Sequence, residues 1–410
     1  MVIKLAWRNL WRNKIRTSTM VCAMVFGLMG VVAMMGFMSG MYGNMIDNAI
    51  AWQTSHIQIQ SQRYLDDPDI NETLINPQPL IEALQRMPQV KAFSTRFLVD
   101  GMIASARANR GIRINGIDSL HEAEVTPIVG SITQGSWLPQ TGRHPIVVSQ
   151  KTAERLRLKL GSKVVLTFSN ADKDVTGAAF RVAGIFNSPS SSFDEANSYV
   201  RRSDLSKLAG VKGIHEIAIV LNESNNMDNH VAKQLAGQLS LLSDSGNRVR
   251  DWQQVQPMLA TIISQMGASN AVILIIFVSA MGFGIVNVML MSVFERTREL
   301  GMLMAIGMVK GKVFSLIIME STLLGVTGAT IGLLASLMLV TLLGHTGIPL
   351  GSMAQGLGAF GVDTTLYPTV SANEYVAVFV TVVLVSILAS LYPARQILKQ
   401  RPVDAMSHKH

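Results

Sequence analysis

Four stretches of this sequence are too long and too apolar to rest in water: residues 18–42, 270–294, 314–343 and 374–393. Each carries at most one charged residue and is long enough to cross a bilayer as a helix. The first spans roughly 36 Å at ~1.5 Å per residue, which allows some tilt. Everything else must be arranged around four such helices. Composition agrees: 49% of the 410 residues are apolar and only 15% charged, low for a soluble protein. The net charge is +8. Its Lys and Arg cluster beside the apolar runs rather than on a face interleaved with aromatics. That pattern reads as membrane topology and argues against a nucleic-acid partner.

Charge sets the expected topology. Lys4, Arg8, Arg12, Lys14 and Arg16 precede the first run; Arg296, Arg298, Lys310 and Lys312 separate the second from the third; Arg395, Lys399, Arg401 and Lys409 follow the fourth. Residues 344–373, a Gly-rich loop, hold no Lys or Arg. The positive-inside rule therefore puts both termini and residues 295–313 in the cytoplasm, and 43–265 outside. Residues 1–17, with Trp7 and Trp11 among basic neighbours, read as an amphipathic surface helix. Residues 394–410 form a cytoplasmic tail, with the fourth helix ending at Pro393.

Within the first run, Gly36-x-x-x-Gly40 has the spacing that lets helices pack closely. The run is also rich in Met, a flexible side chain suited to varied apolar surfaces. The third run carries Ser321, Gly325, Gly328, Ala329 and Gly332, which predict tightly packed faces. Glu320 lies near its inner end. A carboxylate there is costly and needs a partner, with Lys312 or the basic tail the candidates, and a structural latch the expected role.

Residues 43–265 change pattern to short elements. HIQIQ (56–60) alternates like a strand, residues 77–87 look helical, and residues 90–105 and 110–117 read as strands. Residues 144–168 give strand, helix, Gly turn and strand; residues 178–186 and 213–221 add strands, and residues 227–242 a helix. SPSSSFDEANS (188–198) reads as a polar loop. The result is a mixed α+β domain of two subdomains. From Asp251 a helical pattern resumes and is expected to run on as a stalk into the second membrane helix.

No catalytic constellation appears. The His residues of the domain are scattered, no HExxH or GxSxG occurs, and His121–Glu122 reads as surface polarity. Cys22 is the single cysteine, which excludes an intrachain disulfide or a Cys metal cluster. GMVKGK (307–312) lacks the spacing and hydroxyl of a phosphate-binding loop. The reading is a non-enzymatic chain with no catalytic or metal site and no cofactor of its own.

Residues 295–320 stand out as a charged segment between two apolar runs. As a helix, Leu300, Leu303, Met304 and Met308 form one apolar stripe. It reads either as a helix that passes force from a soluble partner or as a plain polar loop.

AWRNLWRNKIRT at the N-terminus, ERTRELGMLMAIGMVKGKVFSLIIMESTLLGVTGATIG, and YPARQILKQRPVDAM near the C-terminus resemble the MacB/LolC–LolE/FtsX superfamily of ABC-transporter permeases. VVSQKTAERLRLKLGSKVVLTF and FRVAGIF resemble the periplasmic core domain of that group. The resemblance implies a four-helix inner-membrane protein with a large α+β periplasmic domain between helices 1 and 2. It also implies pairing with an identical or homologous permease and two ATPase subunits of the LolD/MacB type, which bind the ATP and Mg. Docking on those subunits would fall to Arg298, Glu299, Met302, Ala305 and Gly307. MYGNMIDNAIAWQTSHIQIQ is similar to lipoprotein-releasing permeases. That likeness implies a lipoprotein or other lipidated cargo, with a periplasmic chaperone or adaptor as a further partner. Its acyl chain would meet Met35, Met38, Met41, Leu259, Ile262, Ile263 and Met266. Peptide, antibiotic or toxin efflux, signalling to a cell-wall hydrolase, and a receptor without an ATPase are the alternatives.

Overall fold

The computed structural model describes residues 2–222, 226, 229–351, 356–358 and 361–399. Arg401 and Lys409 of the tail lie outside them. Two compact units emerge: residues 1–41, 264–348 and 366–410 form one, and residues 42–263 and 349–365 the other. The chain opens with α1 (Val2–Leu10), a break, and α2 (Lys14–Ala49). The expected surface helix over 1–17 is therefore shorter, and Lys14 and Arg16 begin the long helix instead. The Thr17 hydroxyl donates to the Leu10 carbonyl across the break. α2 passes residue 42 and closes in a π-type turn, Ile50–Thr54. Residues 43–49 contain no Pro, and burial of Met45, Ile46 and Ala49 keeps them helical.

The second unit contains, in chain order, β1 (Ile57–Ser61), α3 (Gln62–Asp66), α4 (Gln78–Arg86), β2 (Val90–Ala104), β3 (Asn109–Ile117), α5 (Ser119–Val125), β4 (Ile132–Gly135), β5 (Pro145–Ser149), α6 (Gln150–Leu156), β6 (Lys163–Ser169), β7 (Val175–Phe186), α7 (Ser191–Ala196), β8 (Asn197–Arg201), α8 (Arg202–Ala209), β9 (Glu216–Leu221), α9 (His230–Leu242), β10 (Asn247–Asp251) and α10 (Trp252–Val255). The predicted strands are present. The polar loop at 188–198 is instead α7 and the start of β8; the Ser190 hydroxyl caps α7 by accepting from the Phe193 N–H.

These elements build two lobes. β10, β1, β9 and the first half of β2 form an antiparallel sheet. Ile57, Ile59, Ile217 and Ile219 face α4 and α9 and make its core. The second half of β2 pairs with β3 and β6, and the pairings β3–β8, β8–β5, β5–β7 and β7–β6 close a six-stranded barrel. Side chains such as Phe97, Ile114, Leu166 and Phe180 fill it. Gly101 sits where β2 meets β6: a Cβ there would lie 2.6 Å from the Thr167 carbonyl oxygen.

α11 (Pro257–Glu295) follows a break at Gln256. The helical run expected from Asp251 is therefore split, with Pro257 opening the new helix, where its missing N–H costs nothing. α12 (Thr297–Ala305), α13 (Lys310–Thr346) and α14 (Ala372–Lys399) complete the chain. α14 continues through Pro393 rather than ending there, as membrane helices tolerate. Among the described residues, four helices are thus long and apolar enough to cross a membrane, with a large α/β domain between the first and second.

Within the first unit, α13 turns its glycines to its neighbours. A Cβ on Gly328 would lie 2.7 Å from Met24 Sδ, and one on Gly332 2.7 Å from Leu28 Cδ1. Ser321 Oγ donates to the Ser386 carbonyl at 2.8 Å. Gly36 and Gly40 do not form a helix–helix seam. They receive the extended segment 367–370, whose Thr369 N–H donates to the Gly36 carbonyl at 3.2 Å. Replacing Gly40 with Leu should lower the melting temperature of the detergent-solubilised chain by several degrees, because the Tyr367 backbone already occupies the space of a Cβ.

Candidate coupling site

α12 is amphipathic on a small scale. Leu300 and Gly301 are buried, and Leu303, Met304 and Met308 pack on the helical core. Gly307, at φ +103°, ends the helix; its N–H donates to the Met304 carbonyl at 3.1 Å, and the Met308 N–H to the Leu303 carbonyl at 3.0 Å. Arg298, Met302, Ala305 and Gly307 share the exposed side. Met302 is 55% exposed, and Ile306 more so. Ile306 was not singled out in the sequence, because it falls off the apolar stripe.

Glu299 is half-buried and turned inward. Arg12 grips it through Nη2–Oε1 at 2.8 Å and Nη1–Oε2 at 3.1 Å, and Arg296 Nε adds a bond at 3.1 Å. The hydrogen bonds from Arg12 hold its carboxyl below the usual carboxylate range. Arg16 meets Glu295 at 3.0 Å. Arg296 Nη1 reaches Glu320 Oε2 at 3.2 Å. Glu320 therefore pairs with Arg296, not with Lys312 or the tail. Lys312 is about 12 Å away along the same helix axis and exposed, whereas Arg296 sits in the break between α11 and α12. An ion ladder, Arg12–Glu299–Arg296–Glu320, thus joins the N-terminal break, α12 and α13.

The proposed acyl-chain residues are divided between the two units. Met35 is buried in the helical core, so it presents no surface. Met38, Met41 and Met266 are half-buried in the first unit; Leu259 is buried and Ile262 and Ile263 half-buried in the second. Among the described residues, no group of three His, Cys, Asp or Glu is placed to hold a metal.

A second charged cluster lies in the inserted domain. Glu122, expected as surface polarity, is fully buried on α5. Arg96 Nε and Nη2 donate to its two oxygens at 3.1 and 2.7 Å, and Arg96 Nη1 donates to Glu216 Oε1 at 2.8 Å. Burial opposes the Arg96 charge, but the two carboxylates outweigh it and hold the guanidinium firmly protonated.

The family description "MacB-like periplasmic core domain" matches residues 17–235, and "FtsX-like permease C-terminal" matches residues 271–402. The chain belongs to the MacB/LolC/FtsX superfamily of ABC-transporter permeases. The permease is 23% identical over 378 residues to the pyoverdine export ATP-binding/permease protein PvdT of Pseudomonas fluorescens, covering 87% of this chain and 54% of that one. It is 24% identical over 418 residues to the macrolide export ATP-binding/permease protein MacB of Acinetobacter baylyi, covering 97% and 58%. It thus spans about half the length of the curated relatives it matches. The crystallised periplasmic region of MacB from Actinobacillus actinomycetemcomitans aligns with a TM-score of 0.36 at 12% identity, over 53% of this chain and 97% of that one.

One buried acid in the permease's inserted domain sets a pH signature. Burial pushes the Asp194 carboxyl up to about 6, against the Ser188 hydrogen bonds that lower it. A raised acid contributes stability that is fully present below its unfolded value near 4 and is lost as pH rises through about 6. Asp194→Asn should therefore gain stability relative to wild type between pH 4 and 6.5, by about 2 kcal/mol. Paired thermal melts across that range read it; a constant difference would reject it.

Proposed function

We propose that this permease transmits the stroke of an ATP-hydrolysing partner into movement of its outer domain. It would act in the bacterial inner membrane, with both termini and α12 in the cytoplasm and the inserted domain in the periplasm. Two ATPase subunits, binding ATP and Mg, and a second permease complete the proposed assembly. The observation that carries the reading is α12 itself. Its exposed side offers Met302, Ala305 and Ile306 to a partner, while its buried side is tied to α13 through the ion ladder. A push on that face would reach the long helices directly. α2 and α11, at 36 and 39 residues, are long enough to cross a bilayer and continue beyond it.

Lipoproteins or similarly lipidated molecules, extracted from the outer leaflet, are the proposed cargo; the likeness of residues 41–60 to lipoprotein-releasing permeases supports this. Small-molecule export is the second reading, supported by the export roles for which the two relatives above are named. A reconstituted complex separates them: ATP-dependent release of a triacylated peptide into a soluble acceptor supports the first, and ATP-dependent macrolide movement without such release supports the second.

Docking has its own test. Met302→Arg and Ile306→Arg change exposed side chains and should leave folding unchanged. They should reduce co-purification of the ATPase, and its stimulation by the permease, at least tenfold. Undiminished association and stimulation in both variants would reject α12 as the docking element.

A further inference from the structure

The sheet of the first lobe has one apolar face and one polar face. The polar face is only partly solvated: Arg248 at its edge is exposed and Arg250 half-buried. Gln58 and Gln60 of β1, from the alternating IQIQ, are only 5% and 6% exposed. Across the strands, Arg250 stands opposite Gln58, and Gln60 opposite Glu216, which in turn stands opposite Arg96. This face floors a cavity of about 470 Å³ inside the inserted domain, walled on the barrel side by Asn115, Asn197 and Tyr199. That volume falls within the range of small-molecule sites.

Three guanidiniums line the cavity, and two of them are neutralised. Arg96 is held by Glu122 and Glu216, and Arg113 by Asp100 at 2.9 and 3.1 Å. Arg250 is different. Its Nη2 donates to the neutral Gln60 Oε1 at 2.6 Å, and its Nε is buried with no hydrogen-bond partner. It forms no ion pair among the described residues. Gln60 is neutral and cannot supply the missing charge; its amide nitrogen donates to Glu216 Oε2 at 2.7 Å, which fixes its oxygen toward Arg250. Burial pushes the Arg250 guanidinium below its ordinary range, against the attraction of Glu216, whose ion pair is with Arg96. Arg250 is half-buried, and a buried Nε without a partner is costly unless something completes its shell.

We propose that the cavity is a binding site for a small polar molecule bearing one oxyanion, a carboxylate or a phosphate, which pairs with Arg250. A planar guanidinium suits either oxyanion. The amide nitrogens of Gln58, Asn115 and Gln256 already donate within the domain, which leaves their oxygens as acceptors, so the rest of the ligand carries hydroxyl or amide donors. The site does not involve α12 or the cargo surface, and its existence is independent of the coupling mechanism.

The test uses the full chain in detergent, with D-glucuronate, inorganic phosphate and D-glucose as probes in calorimetric titrations. Saturable binding of glucuronate or phosphate is expected, at least tenfold tighter than glucose. Binding of glucuronate alone identifies a carboxylate ligand, and of phosphate alone a phosphoryl ligand. Arg250→Gln should weaken the bound probe at least tenfold, and Arg250→Lys, which keeps the charge but loses the fork, at least threefold. Arg155→Gln, an exposed change on α6, should leave it unaltered. The proposal is overturned if neither anion binds saturably, if glucose matches them, or if Arg250→Lys binds as tightly as wild type.

Discussion

Arg96→Met is expected to destabilise the inserted domain by about 3–5 kcal/mol, the range for breaking a buried ion pair from one side. For a domain of this size that lowers the melting temperature by roughly 6–20 °C. Loss of the guanidinium leaves Glu122 and Glu216 buried without the three hydrogen bonds that Arg96 supplied. The penalty is the desolvation of two orphaned carboxylates rather than the worth of the ion pairs themselves. The triple variant Arg96→Met, Glu122→Gln, Glu216→Gln should therefore recover most of the loss, since it removes the charges together. Thermal unfolding of the purified chain, followed by tryptophan fluorescence, measures both. A single variant as stable as wild type would show that the triad is solvated.

The second large effect is expected at Arg296. Glu320 is 5% exposed on a membrane helix, and Arg296 is its ion-pair partner. Arg296→Leu strands that carboxylate in an apolar setting and removes the contact tying the start of α12 to α13. Stability should fall by about 3–5 kcal/mol. Glu320→Gln should cost less, because Arg296 keeps Glu299 at 3.1 Å. The double variant should be more stable than Arg296→Leu alone, giving a coupling energy of about 1–3 kcal/mol. In the assembled complex, stimulation of the ATPase should drop more steeply in Arg296→Leu than its association does, since the exposed face of α12 is untouched. Equal stability of Arg296→Leu and wild type in detergent would dismiss the ladder as a surface ornament.

What could be read from the sequence was whatever short-range pattern determines. The IQIQ alternation marked β1, and the four apolar runs marked the long helices. The apolar stripe of α12 correctly separated Leu300 and Leu303 from Met302. What could not be read depends on partners far along the chain. Glu122 looked solvated because Arg96 and Glu216 lie 26 and 94 residues away. Glu320 has Lys312 on its own helix and the basic tail as its candidates in the sequence, whereas its partner, Arg296, approaches from the break before α12. The resemblance to lipoprotein-releasing permeases put Met35 on a cargo surface, but helix rotation turns it into the core. Gly36 and Gly40 had the spacing of a helix seam, yet what fills that space is an extended segment more than 300 residues later. Period and composition report which residues want burial, not what will bury them.

β2 has a consequence for how the inserted domain comes apart. Val90–Arg96 hydrogen-bond into the sheet through β9, and Phe97–Ala104 into the barrel through β3. Two hydrophobic cores are thereby threaded on one strand, with Arg96 at the crossing point. Neither lobe can release its share of that strand without exposing ladder hydrogen bonds of the other. Amide protons along the whole of β2 should exchange with solvent at one common, slow rate, through a single opening of both cores. A domain built this way answers a pull at one end as a single cooperative body, able to carry displacement rather than absorb it.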